Sequence, residues 1–172
     1  PKEYDLLFSG HMGYVPNIAA AKYAITKIFP ILPTPRKLLI AGIGTTSKIS
    51  NLKSDKIIIQ EHFTHIREAF WKSKILLAPM NISIGLQNKI LQAMAMKVPV
   101  ICSQQANMSI NAPVGTSILT AAEPQEYIEA INLLLDDDEY YQLIANQGYQ
   151  FVKNNFDWDI INNQFAEILL DL

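Results

Sequence analysis

The stretch from Ala78 to Met96 holds the densest set of ligand-competent residues in the chain. It reads Ala78-Pro79-Met80-Asn81-Ile82-Ser83-Ile84-Gly85-Leu86-Gln87-Asn88-Lys89-Ile90-Leu91-Gln92-Ala93-Met94-Ala95-Met96. A loop with one glycine runs into a helical pattern. The first turn of a helix carries N–H groups without intrahelical partners and the positive end of the peptide dipoles. The N–H groups expected near Gly85 to Gln87 therefore suit an anion such as a diphosphate. Lys89, in the first turn, would add an ammonium, and Gln92, three residues on, shares its face. That face is expected to look outward while Leu86, Ile90, Ala93 and Met94 turn inward. The plain alternative is an ordinary helix start that holds nothing.

Two further turns are glycine-punctuated: Ser9-Gly10-His11-Met12-Gly13 and Gly42-Ile43-Gly44-Thr45-Thr46. Both permit close approach of backbone to a ligand, and both are equally well read as tight turns. Neither is a dinucleotide fingerprint: Gly42 and Gly44 are followed by Ser47 where a third glycine belongs, and the first strand lacks the motif. His11, His62 and His65 have no carboxylate or cysteine at metal-ligand spacing, so no metal site is expected. Cys102 has no base partner in sight and suits a buried strand end better than a nucleophile. No Ser-His-Asp set and no carboxylate pair can be assembled.

The elements that must position these turns follow from periodicity. Short apolar runs at Asp5–Ser9, Lys37–Ala41, Lys56–Gln60, Lys74–Ala78, Val98–Cys102 and Ser117–Thr120 are apolar at consecutive positions, the pattern of strands covered on both faces in a parallel sheet. Between them lie segments of helical period: Ile18 to Phe29 behind Pro16, Thr64 to Trp71, and Gly85 to Met96. Three helices are expected after the sixth strand: one opened by Pro124, one from Glu139, and one capped by Asp157 with Trp158, Ile161, Phe165, Ile168, Leu169 and Leu172 on one stripe. The reading is an α/β, doubly wound, six-stranded parallel sheet with extra C-terminal helices. In such sheets ligands lie beyond the carboxyl ends of the strands, which is where the three turns fall.

Composition agrees. The 172 residues, 49% hydrophobic and 17% charged, fit one folded domain and exclude a disordered tail. A net charge of -2 without a basic face argues against a nucleic-acid partner. No apolar run reaches the ~18 residues of a membrane span, and no amino-terminal signal pattern is present. One cysteine suits a reducing compartment, so a cytoplasmic location is expected. The sequence opens Pro-Lys-Glu-Tyr without methionine, which leaves two readings: a processed start, or the carboxy-terminal piece of a longer protein.

The run LLAPMNISIGLQNKILQAMAMKVPVI, residues 76–101, resembles the donor-binding region of GT-B glycosyltransferases of the family 4 (group 1) type. More narrowly it resembles a bacterial sugar-transferase branch with a Gly-x-Gln-Asn-Lys-x-Leu-Glu-Ala-Met-Ala-Met run before a Pro-Val strand. The opening from Phe8 through Tyr14, Pro16 and Asn17, and the run Leu39-Ile40-Ala41-Gly42, resemble the start of the carboxy-terminal domain in that branch. Spacing fits from about residue 4 to residue 169, nearly the whole chain. The resemblance implies that residues 1–172 are a single donor-binding domain, the half that holds a nucleoside-diphosphate sugar of the UDP or GDP type. The amino-terminal acceptor-binding half would lie outside this sequence, and any peripheral contact with the inner face of the membrane would be made through it. The implied reaction is transfer to a glycan, lipid-linked or other acceptor with retained configuration, as in polysaccharide biosynthesis, without metal or other cofactor. By the same resemblance Lys89 supports the diphosphate. Ser83, Gly85, Leu86 and Gln87 approach the diphosphate and sugar, and Gln92 meets the ribose. Gly10, His11, Gly42, Gly44, His62, Phe63 and Ile66 border the rest of the donor.

The sequence departs from the family at four positions. A family glutamate is Gln92 here, an amide that forgoes charge-assisted hydrogen bonds. An earlier family glutamate falls on Ile84, and Glu61 and Lys97 stand where glycines are common. A non-catalytic or degenerate nucleotide-binding module on the same scaffold is therefore the alternative expectation. A dehydrogenase-type dinucleotide domain is disfavoured by the absent fingerprint.

Overall fold

The computed structural model describes residues 1–82 and 85–157. Six parallel strands form one sheet: β1 (Tyr4–Ser9), β2 (Leu38–Ala41), β3 (Ile57–Gln60), β4 (Ser73–Ala78), β5 (Val100–Cys102) and β6 (Leu119–Thr120), in the order β3-β2-β1-β4-β5-β6. All six coincide with the expected apolar runs. The central strands are buried along almost their whole length, Leu6, Leu7 and Phe8 beside Leu38, Leu39 and Ile40 on one side and Ile75 and Leu76 on the other. Residues apolar on both faces are needed there because helices cover both faces.

The chain moves outward from β1 through β2 to β3, then returns to the other side of β1 as β4. The topological switch point therefore lies between β1 and β4. Helix α1 (Val15–Tyr23), with Pro16 in its first turn, passes into a wider π segment at Ala24–Ile28 and a single 3₁₀ turn at Phe29–Ile31. The stripe Ala21, Ile25, Ile28 is buried as its spacing implied. Two short helices, α2 (Ser47–Ser50) and α5 (Gln104–Met108), carry no readable sequence period at four and five residues. Between them lie α3 (Arg67–Trp71) and α4 (Asn88–Ala95). The Ser103 hydroxyl accepts from the Ala106 N–H and so caps α5.

After β6 come α6 (Pro124–Asp136) and α7 (Asp138–Asn155). The acidic run between them is a working cap: Asp137 Oδ1 accepts from the Tyr140 N–H at 2.9 Å. Helix α7 packs across α4, and Gly148 lets them close; a Cβ there would stand 2.9 Å from the Ser117 carbonyl and 3.5 Å from Met94 Cε. The third terminal helix, with its Trp158 stripe, falls outside the described residues.

Candidate functional site

The turns after β1, β2 and β4 converge at the switch point, and the first two are locked together. The Gly10 N–H donates to the Ala41 carbonyl and the Met12 N–H to the Ile43 carbonyl. Gly42 is obligatory: its φ is 147°, and a Cβ would stand 1.8 Å from the Gly10 carbonyl oxygen. The His11 ring lies between Gly13 and Gly44. Its Nδ1 accepts from the Gly13 N–H at 3.1 Å, which places the proton of the neutral ring on Nε2. So the expected residues Gly10, His11, Gly42 and Gly44 form one surface at the carboxyl ends of β1 and β2.

Lys89, from the first turn of α4, reaches across to that surface. Its Nζ donates to Asn17 Oδ1 at 2.6 Å, lies 4.8 Å from the centre of the Phe8 ring and is 3.7 Å from Met80 Sδ. These are an amide oxygen, an aromatic face and a thioether: three neutral partners for a cation, and no carboxylate. The ion pairs among the described residues, Lys72–Glu3 and Lys74–Asp5, lie elsewhere. Burial pulls the Lys89 ammonium down from 10.5 to about 8. Desolvating a cation without a counter-ion is costly, and an anion brought beside Lys89 would offset that cost.

The sequence reading of α4 needs two corrections. The helix begins at Asn88, not at Gly85, because Gly85 has φ +69° and cannot belong to a right-handed helix. Gln87 is the N-cap residue, and no side chain caps α4. The first-turn N–H groups of the helix are thus those of Asn88 and Lys89, and the Ile90 N–H donates to the Gln87 carbonyl. Among the described residues nothing lies within 4 Å of where a Gly85 Cβ would be. Leu86, expected to turn inward, is 51% exposed. The second correction concerns the shared face. Gln92 is exposed as expected, but Lys89 bends inward to Asn17, so the two side chains do not stand side by side in solvent. Ser83 falls outside the described residues.

On the β2–β3 side an open cavity of about 600 Å³ is lined by Thr45, Ser50, Lys53, Ile59, Gln60, Glu61 and His62. Glu61 Oε1 accepts from the Thr45 N–H at 2.6 Å, a bond that holds its carboxyl below the usual range and ties the turn after β2 to the end of β3. Of the residues expected beside it, His62 lines the cavity, whereas Phe63 and Ile66 pack against the hydrophobic core. Cys102 is buried in β5 with its thiol pushed up to about 12, which makes it inert at neutral pH. Among the described residues no group of three His, Cys, Asp or Glu could hold a metal ion. No described helix is long and apolar enough to cross a membrane.

Asn17, Phe8 and Met80 escaped the reading of the residues by type and spacing. Asn17 reads as one more polar position on α1, and only the sheet order that sets β1 beside β4 brings it to Lys89. Its low exposure, 8%, is the structural mark of its role.

An open parallel sheet with its crevice at the β1/β4 switch point is the Rossmann-like half of a GT-B glycosyltransferase fold. The sequence model of the family Glycosyl transferases group 1 matches residues 3–137, and the chain belongs to that family. Anabaena HepE, crystallised with UDP, superimposes with a TM-score of 0.78 at 15% identity, over 99% of this chain and 50% of that one. The C-terminal domain of a glycosyl transferase group 1 family protein, LpcC of Francisella tularensis, gives a TM-score of 0.70 at 17% identity, over 92% of this chain and 88% of that one. In sequence, the chain is 26% identical over 106 residues to Glycosyltransferase 1 domain-containing protein 1 of Xenopus tropicalis, 61% of this chain and 30% of that protein. It thus spans half of HepE and under a third of the frog relative.

Proposed function

We propose that this chain is the donor-binding half of a two-domain glycosyltransferase, and that its crevice holds the diphosphate of a UDP- or GDP-linked sugar. The observation that carries the reading is the uncompensated Lys89 ammonium beside the uncapped start of α4, at the switch point of the sheet. A diphosphate there would receive N–H groups from the start of α4 and the ammonium of Lys89. As the glycosyl–phosphate bond breaks, negative charge grows on the leaving diphosphate, and these groups stabilise it where it develops. The space over Gly85, clear among the described residues, fits the sugar, and the cavity at Thr45, Glu61 and His62 fits the nucleoside. The amino-terminal half would present the acceptor, a glycan or lipid-linked hydroxyl, and any contact with the inner face of a cytoplasmic membrane would be made there. Retention of configuration and a hexosyl donor follow from the family resemblance.

Titration calorimetry of this chain with UDP, GDP, uridine and guanosine tests the proposal. The diphosphates should bind at least tenfold more tightly than their nucleosides. Equal affinity within either pair would remove the diphosphate from the crevice. The specific observation that favours a degenerate module instead is Gln92, an exposed amide at the ribose-binding position of the family. Under that second reading neither diphosphate binds.

A further inference from the structure

The partner that holds Lys89 is neutral, and its neutrality is the point. Asn17 stands on α1, 8% exposed, with both ends of its carboxamide in use: Nδ2 donates to the His11 carbonyl at 3.0 Å, and Oδ1 accepts from Lys89 Nζ at 2.6 Å. One side chain thus ties the β1–α1 loop to the first turn of α4 across the switch point. Gly10 makes room for it, since a Cβ at Gly10 would lie 2.9 Å from the carboxamide carbon and nitrogen of Asn17. A carboxylate of the same shape at residue 17 would make a closed ion pair with Lys89 and answer its charge from within the protein. The amide fixes the position of the ammonium and leaves its charge unanswered.

We propose that Asn17 is a positioning and specificity-determining residue: it aims Lys89 into the crevice while keeping it uncompensated, so that only a dianionic or more highly charged ligand, a diphosphate and not a nucleoside or neutral sugar, completes the pair. The proposal rests on the diphosphate reading of the crevice. Its surroundings support it. Lys89 is touched from β1 by Phe8, from α1 by Asn17 and from the turn after β4 by Met80. The charged or ionisable groups on those elements do not answer it. Asp5 pairs with Lys74 at the opposite end of the sheet, and Lys22 and Tyr23 lie at the far end of α1. Tyr4 begins β1, Tyr14 is half-exposed in the loop, and the His11 ring is turned to Gly13 and Gly44. Burial lowers the proton affinity of Lys89, and the neutral amide does not restore it.

The test is the Asn17→Asp variant against the parent chain, with UDP, inorganic pyrophosphate and uridine as probes, in calorimetry from pH 7 to 9.5, beside thermal unfolding. The parent should bind UDP and pyrophosphate with an affinity that falls as pH rises through about 8. Asn17→Asp should bind both phosphate probes at least tenfold more weakly and lose the pH dependence, while its affinity for uridine stays that of the parent; its carboxylate gives up the bond to the His11 carbonyl, so thermal unfolding serves only to show that the variant is folded. A merely structural role would not weaken the phosphate probes selectively while a folded variant keeps the parent's affinity for uridine. Asn17→Ala serves as the second variant: it should keep the pH dependence and lose only part of the affinity, because Lys89 stays uncompensated but is no longer aimed. Unchanged phosphate affinity in Asn17→Asp, with the parent binding normally, overturns this proposal and leaves the crevice reading standing. Failure of the parent itself to bind UDP or pyrophosphate overturns both.

Discussion

Replacing Lys89 by Met keeps an unbranched stem against Phe8 and Met80 and removes the charge, and its effect on folding should depend on pH in a defined direction. The Lys89 ammonium titrates at about 8 in the folded chain against 10.5 when free. Its folded value is the lower one, so between these limits the unfolded chain holds more protons and stability rises with pH. Below about pH 8 the charged ammonium opposes folding by its full amount; the opposition is relieved as pH climbs from 8 towards 10.5. Integrating between those two values gives a relief of about 2.5 kcal/mol from pH 7 to pH 10. The 2.6 Å bond to Asn17 survives deprotonation of the lysine as an ordinary hydrogen bond and does not alter the sign. The assay is urea unfolding of parent and Lys89→Met at pH 7, 8, 9 and 10. The other lysines and tyrosines titrate in both proteins and cancel in the difference. The stability of the parent relative to the variant should climb steadily by about that amount, while the variant binds UDP more weakly by roughly 1–3 kcal/mol at pH 7, the range for hydrogen bonds to charged groups. A difference that is flat in pH would show that Lys89 is solvated or already paired, and the case for a cation awaiting an anion would fall with it.

Three other outcomes are expected. Lys97→Gly should stabilise the chain by about 0.5–1 kcal/mol in urea unfolding, since Lys97 occupies a left-handed conformation that costs a side-chain residue more than glycine; a loss of stability would mean that its stacking on Tyr149 outweighs that strain. Gly42→Ala should destabilise by more than ~2 kcal/mol, because its Cβ and the Gly10 carbonyl cannot both be accommodated; a variant with parental unfolding would refute the packing of the two turns. Gln92→Glu should leave stability within about 0.5 kcal/mol, as suits an exposed position, and should strengthen UDP binding by on the order of 1 kcal/mol if the ribose contact persists; no gain in affinity would favour the degenerate module.

The sheet was readable because its strands are apolar at successive positions, Leu38 to Ala41 and Ile75 to Ala78 being buried throughout. Parallel pairing follows from that pattern, and parallel pairing places the ligand turns at one end. Helix boundaries were less readable where backbone conformation decides them. The amphipathic pattern runs smoothly through Gly85, and only the left-handed φ of that residue delays α4 to Asn88. Helices α2 and α5 are too short to show a period, and depend instead on local caps such as Ser103. Lys89 and the glycine turns were recognisable as residue types. The partnership of Lys89 with Asn17, 72 positions away, is a property of the strand order and has no local signature.

Three of the four departures from the family lie among the described residues, and they divide by what they touch. Lys97 sits just past the end of α4, where its N–H donates to the Met94 carbonyl and the Val98 N–H to that of Ala93, the paired bonds of a Schellman ending that glycine normally serves. Its ammonium lies 5.2 Å from the Tyr149 ring centre, a contact with α7 that offsets part of the left-handed strain. Glu61, also at a glycine position of the family, spends one carboxylate oxygen on the Thr45 N–H and lines the cavity on the β2–β3 side. Gln92, on the proposed reading, removes a charge from the ribose position. None of the three is among the groups that contact the Lys89 ammonium, whose partners are Phe8, Asn17 and Met80. Two of these three substitutions fall, on the proposed reading, at the nucleoside end and one at a helix end. On the proposed reading this weights the site toward the phosphates: a larger share of the donor's binding free energy comes from Lys89 and the start of α4 than in relatives with a glutamate at the ribose. Inorganic pyrophosphate, which lacks base and ribose altogether, is then the most telling ligand, because it engages the part of the crevice that these substitutions leave alone.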